Sequence, residues 1–317
     1  MDTLTALLLI VLPVFLVVGA GYAAVRTGAY PDAGIGPLVK FATGIAVPVL
    51  LFRAIYRLDL GQVFQPDLLA SFYLSALVAF GAGILAARRL FGARPGESVA
   101  IGFCALFSNS VLLGLPVVER AYDASVIEPV FAIIAIHAPF CYLVGITAME
   151  ISRRDGAGLI ATLRRIVDEM LHNALTVGIM AGFAFNLAGI VLAEPVLAAV
   201  DLIAAAGLPV ALFGLGGILT RYSLGRGVAA ASVTAAISVM LQPAVAWVLA
   251  TQVFELSESF TRAAVIIAAM PTGVNGYVFA EMYKRSVEIA ASTVLIGTAG
   301  SVFSITFWLW VLGGTGF

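Results

Sequence analysis

Ten windows of about 20 apolar residues, each nearly free of charge, follow one another along this chain of 317 residues, and nothing else in the sequence narrows its fold as much. They fall at approximately 4–26, 36–57, 67–88, 98–119, 126–149, 173–193, 196–219, 227–252, 260–282 and 288–312. Inside a bilayer no water satisfies backbone N–H and C=O groups, so a spanning segment must be a helix or a strand of a closed barrel. Barrel strands would read as alternating segments of about ten residues, whereas these runs are continuous and longer. The expected fold is an all-α polytopic membrane protein of ten transmembrane helices set in a lipid bilayer. Composition agrees: 62% of residues are apolar and 11% charged, with a mean hydropathy of +1.07. The first window is too long for a signal-peptide core and follows Asp2 rather than a basic stretch, so it is expected to remain as the first span.

A net charge of −1 offers no basic footprint for nucleic acid. Cys104 and Cys141 both fall inside windows without CxxC spacing; they read as small core residues, with no metal site and no disulfide expected. Nor is an enzyme expected, since there is no HExxH, no phosphate-binding loop, no pair of mid-membrane aspartates and no Asp-rich motif. No cofactor is implied.

The longest connector, 153–172, carries Leu159, Ile160, Leu163, Ile166, Val167, Met170 and Leu171 at helical spacing opposite Arg164, Arg165, Asp168 and Glu169. It reads as a cytoplasmic amphipathic linker between a first five-helix repeat, 1–152, and a second, 173–317. The halves share motifs. Ala20-Gly21-Tyr22-Ala23 answers Ala181-Gly182-Phe183-Ala184, and Pro48-Val49-Leu50-Leu51-Phe52 answers Pro209-Val210-Ala211-Leu212-Phe213, both at a separation of 161 residues. In windows four and nine, Phe107-Ser108-Asn109-Ser110-Val111 answers Gly273-Val274-Asn275-Gly276-Tyr277 at a separation of 166. Five spans are an odd number, so the second copy is expected upside down, a 5+5 inverted repeat. Of the 17 Lys and Arg residues, 13 lie in the connectors after windows 1, 3, 5, 7 and 9. The positive-inside rule puts that face in the cytoplasm, giving a multi-pass protein of the plasma (inner) membrane with both termini outside, in the periplasm.

Windows four and nine spoil their own helices. Asn109 and Pro271 each lie roughly 16 Å into a span, near the middle of a ~30 Å hydrocarbon core. Pro271 removes a backbone donor, Gly273 and Gly276 permit non-helical dihedrals, and Asn275 can bond freed backbone groups; Ser108, Asn109, Ser110 and Gly114 before Pro116 do the same less forcefully. Unwound backbone at that depth is tolerated only where protein or a water-filled cavity receives it. Two broken, crossing helices present positive half-helix ends at the midplane, with Ser108, Ser110 and Thr272 as further donors, which suits an anion and above all a carboxylate. Unwound carbonyls equally suit a cation. Arg53, toward the outer end of window two, is a candidate second carboxylate contact or electrostatic lure, against snorkelling to the headgroups. His137, mid-way through window five, is a candidate proton carrier, against a neutral imidazole bonded to a neighbouring helix. Gln242 and Asn186 read as interhelical hydrogen-bonding residues, and Tyr142 and Trp310 as core or interface anchors.

Phe-Ser-Asn-Ser-x-x-x-Gly-x-Pro at 107–116, Pro-Thr-Gly-x-Asn at 271–275 and Pro-x-Leu-Leu-Phe at 48–52 resemble the auxin efflux carrier family, which includes plant auxin carriers and bacterial malate- and malonate-type permeases. The resemblance implies a fold like that of the bile-acid sodium symporters. Helices 1, 2, 6 and 7 would form a scaffold, through which a homodimer could assemble, and helices 3–5 and 8–10 a transport domain. By motif, Asn109 and Asn275 would bind the substrate carboxylate, while Pro116 and Pro271 shape the broken helices. The function implied is secondary transport of a small organic anion by elevator-type alternating access, with coupling to H⁺, to Na⁺ or to neither left open. An anion channel or a non-transporting membrane sensor is the alternative.

Overall fold

The structure, a computed structural model, describes residues 3–152, 173–225 and 227–313. The amphipathic linker expected at 153–172 lies outside these residues. The regular elements of the described residues are all helices, with no named strand among them. Windows one, two, three and five fold as α1 (Thr3–Arg26), α2 (Asp32–Arg57), α3 (Pro66–Phe91) and α6 (Ala124–Ser152). Window four is two pieces, α4 (Pro95–Leu106) and α5 (residues 110–121). Window six is the 14-residue α7 (Ala174–Leu187), and windows seven and eight are α8 (Glu194–Leu219) and α9 (Val228–Val253). Window nine is again two pieces, α10 (Glu258–Ala268) and α11 (Val274–Tyr283), before α12 (Val287–Val311) closes the chain. Seven of these helices are long and apolar enough to cross a membrane: α1, α2, α3, α6, α8, α9 and α12. The chain is an integral membrane protein.

Three of the four π turns among the described residues, Ala42–Ala46 in α2, Ser110–Gly114 opening α5 and Ile237–Leu241 in α9, each end two residues before a proline, Pro48, Pro116 and Pro243; the fourth, Leu249–Val253, closes α9 with no proline after it. A proline ring within a helix collides with the carbonyl four residues back, and widening the preceding turn relieves that clash without breaking the helix. The proline also leaves a carbonyl without its donor. In α9 the Val239 carbonyl, four residues before Pro243, accepts instead from the Trp308 indole N–H of α12 at 3.0 Å.

Contacts divide the chain into two units. One comprises Pro13–Val63 and the stretch ending at Arg221 that includes α7 and α8. Here the duplicated glycines set the packing: a methyl group on Gly21 would fall on the Phe213 carbonyl, and one on Gly182 would come within 3.0 Å of the Phe52 carbonyl. The same 161-residue separation relates the two glycines and the two phenylalanines. Each shared motif therefore packs against the partner motif of the other half. Asn186 of α7 donates through its amide to the carbonyls of Ile55, Tyr56 and Leu58 at 3.1, 3.0 and 2.8 Å, satisfying the C-terminal end of α2 and agreeing with its reading as an interhelical bond.

The other unit comprises the start of α1 up to Leu12, Phe64 onward through α6, and Tyr222 onward through α12. Its centre is a close approach of α3 and α4 at Gly83 and Gly102, where a Cβ on Gly102 would meet the Phe80 carbonyl at 3.0 Å. Tyr73 of α3 ties α6 through its hydroxyl, which donates to the Ile133 carbonyl at 2.8 Å.

Candidate functional site

Both broken windows belong to this second unit, and their unwound segments meet. Ser108 and Thr272 face each other in an isolated antiparallel bridge. The Asn109 N–H donates to the Pro271 carbonyl at 2.8 Å and the Gly273 N–H to the Phe107 carbonyl at 3.0 Å. Backbone groups freed by one interruption are thus satisfied by the other, the accounting that a dry interior demands. In this antiparallel pairing 107 lies opposite 273 and 109 opposite 271, and a shift of 164 residues exchanges the two hydrogen bonds, so that 107 corresponds to 271, 108 to 272 and 109 to 273. The side-chain match at 166 is therefore two residues out of register. Gly273, not Asn275, corresponds to Asn109, and each is the residue immediately preceding its second half-helix. Peptide groups set this register, and they are alike for every residue, so matching asparagines misdirects the alignment.

Helices α5 and α11 resume directly from the bridge, turning the positive dipole ends of two N-termini toward it. Asn109 is 6% exposed, and its Nδ2 has no hydrogen-bond partner. Asn275, in the first turn of α11, is half-buried, and its Oδ1 accepts from the Tyr142 hydroxyl at 3.4 Å, which leaves its Nδ2 as the donor to offer. Gly273 approaches Asn109 closely enough that a Cβ would rest 3.4 Å from the Asn109 Cα. Gly276 is required by packing, because a Cβ there would come within 2.7 Å of Thr272 Cγ2 and 3.2 Å of Cys104 Sγ.

Ser108, Ser110 and Thr272 are all buried. Thr272 donates through Oγ1 to the Cys104 carbonyl at 2.5 Å, so its hydroxyl braces α4 rather than pointing out for a ligand. His137 Nε2 donates to the Ser108 carbonyl at 3.1 Å and lies 3.4 Å from Ser108 Oγ, while Nδ1 faces Cys141 Sγ at 3.7 Å. The imidazole is tied to the break itself. Pro271 sits within the unwound segment, whereas Pro116 lies inside α5, behind its π turn.

A cluster of rings surrounds these groups: Phe103 stacks on Phe279 with centroids 3.9 Å apart, and Phe107 lies edge-on to both Tyr142 and His137. Tyr142, expected as a core or interface anchor, is half-buried and bonded to Asn275, a partnership that the sequence reading did not foresee. Its place five residues beyond His137 on the same helix was the signal available.

Arg53 lies in the other unit, at 3.3 Å from the carboxylate of Asp201, which Arg57 shares at 3.5 Å. Asp201, which nothing in the sequence marks, supplies a counter-charge for Arg53. Gln242 departs from its expected interhelical bond, since neither side-chain polar atom has a partner.

An all-helical membrane chain whose two broken helices are stitched together through backbone groups has the build of a transporter. It belongs to the family whose model is described as Membrane transport protein, the auxin efflux carrier group, which it matches over residues 7–309. A protein of Rhizobium meliloti, provisionally named a malonate transporter, is 23% identical over 305 residues, covering 96% of this chain and 95% of the relative. An uncharacterized transporter of Methanothermobacter thermautotrophicus is 25% identical over 312 residues, covering 95% of this chain and 97% of the relative.

Proposed function

We propose that this protein is a secondary transporter of small organic anions, with short dicarboxylates of the malonate kind as first candidates, and that it binds a carboxylate where the two broken helices meet. The observation that carries the reading is the buried, unpartnered Asn109 Nδ2 beside two helix N-termini. A carboxylate is an acceptor-only group that such donors match, and desolvation makes each charge-assisted bond stronger. The name of the Rhizobium relative points to the same substrate class. The reciprocal packing of Gly21 on Phe213 and Gly182 on Phe52 supports a 5+5 inverted repeat. The division into two contact units supports elevator-type alternating access, in which the unit carrying the bridge shifts as a body. The Lys and Arg bias supports a plasma-membrane orientation with both termini outside.

The test is uptake and counterflow in proteoliposomes with labelled malonate, malate, succinate, pyruvate and an indole acetate, with and without pH and Na⁺ gradients. Saturable, trans-stimulated flux of at least one is expected, and the gradient that drives it names the coupling ion. Flux without saturation would mean a channel; binding without flux would mean a sensor. Either result ends the carrier reading.

A further inference from the structure

A second group of unsatisfied polar atoms lies outside the crossover. Gln242 of α9 is fully buried, and neither its Oε1 nor its Nε2 has a partner; Ser238, four residues earlier and also fully buried, has an unpartnered hydroxyl. Between them runs the π turn Ile237–Leu241, in which the Gln242 N–H donates to the carbonyl of Ile237. The next residue, Pro243, has no N–H to give. The Ser238 carbonyl is thereby denied both its i+4 and its i+5 main-chain donors. Because four residues nearly complete a π turn, Ser238 and Gln242 stack on one face. One turn thus gathers a carboxamide, a hydroxyl and a carbonyl with no main-chain donor in a dry interior, where polar groups are seldom left bare.

Depth sharpens the point. Helices α9 and α10 are consecutive, joined by a four-residue connector, and the second half of α9 packs on α10. Gln242 lies 11 residues before the end of α9 at Val253, and Ala269 lies 11 residues after the start of α10 at Glu258. At about 1.5 Å per residue the two are level. Helix α10 stops at Ala268, so the carbonyls at the negative end of its dipole come to the same level as the bare oxygens.

We infer that Ser238 and Gln242, with carbonyl oxygens of the π turn and of the α10 terminus, form a binding site for a desolvated alkali-metal cation, with Na⁺ as the first probe. The ligands are neutral oxygens: α9 carries no carboxylate, and in α10 the acidic residue is Glu258, at the opposite end. Divalent cations usually recruit carboxylates, whereas carbonyl, hydroxyl and amide oxygens suffice to replace the hydration of a monovalent ion. The site does not depend on the carboxylate reading, and its test omits any substrate.

The test is thermal unfolding of the purified full chain in choline chloride, NaCl and KCl at equal ionic strength. A ligand that binds only the folded state raises Tm with concentration, so NaCl or KCl is expected to raise it by several degrees over choline chloride. Gln242→Met keeps side-chain length and removes the amide oxygen, and Ser238→Ala removes the hydroxyl; in both the cation-dependent rise is expected to fall below about 1 °C. No alkali-dependent shift in the wild-type chain overturns the proposal. A shift that survives in both variants also overturns it, because the ion then binds elsewhere. If Gln242→Met does not fold, Ser238→Ala alone decides.

Discussion

At the scale of single residues, Asn109 and Asn275, which the sequence presents as a symmetric pair, have different surroundings. Asn109 is sealed beside the bridge with its amide donor free, whereas Asn275 is half-buried and held by Tyr142. Asn109→Ala is therefore expected to weaken substrate binding more than tenfold, equivalent to about 1.4 kcal/mol, with an unchanged helical spectrum; isothermal titration with the transported anion checks it. Tyr142→Phe keeps the ring and removes the hydroxyl that orients Asn275. A smaller loss of affinity, with the same fold, is expected from it. Asp123 illustrates a different role. Its Oδ1 accepts from the Ser125 hydroxyl at 2.6 Å and from the Ser125 N–H at 3.0 Å at the start of α6, and these bonds hold its carboxyl below the usual carboxylate range. A depressed folded-state pKa contributes stability above the unfolded value and loses it as pH falls through the folded one. Asp123→Ala should thus lower Tm near neutrality, and the gap from wild type should close on the acid side. The candidate site was largely legible here, since Asn, Ser, Pro and Gly are conspicuous in an apolar span. The contacts of Tyr142 and Asp201 were not, because what an aromatic near a span end or an acid in a helix touches is decided only by the partners that folding brings.

At the scale of elements, glycine does what the repeated motifs foretold. A bulky side chain at Gly21 or Gly182 must displace a neighbouring backbone carbonyl, so Gly21→Leu and Gly182→Leu should each destabilise by about 1–3 kcal/mol, read as a lower Tm. Gly19→Ala, with nothing within 4 Å of the added methyl, is the control expected to change nothing. Window positions were legible to within a few residues because hydropathy reports them directly. The π turns were not. Those at Ala42–Ala46, Ser110–Gly114 and Ile237–Leu241 answer a steric conflict between a proline and a carbonyl four residues earlier, and hydropathy carries no trace of it. The two-residue error in pairing windows four and nine has a similar origin, because the bridge is made by main-chain atoms.

At the scale of the whole molecule, elevator-type transport predicts a distance change between the two units. Spin labels at Ile151→Cys, on the end of α6, and Val191→Cys, just beyond α7, occupy exposed sites in different units, and both native cysteines are buried. Substrate should shift the distance distribution between the labels; an unchanged distribution in saturating substrate would count against elevator motion. The Ser108–Thr272 bridge bears on how such a protein diversifies. The joint holding the broken helices together is written in peptide groups, which mutation leaves in place, while the side chains around it are free to change. A substitution among those side chains redecorates the joint and leaves its two main-chain rivets in place.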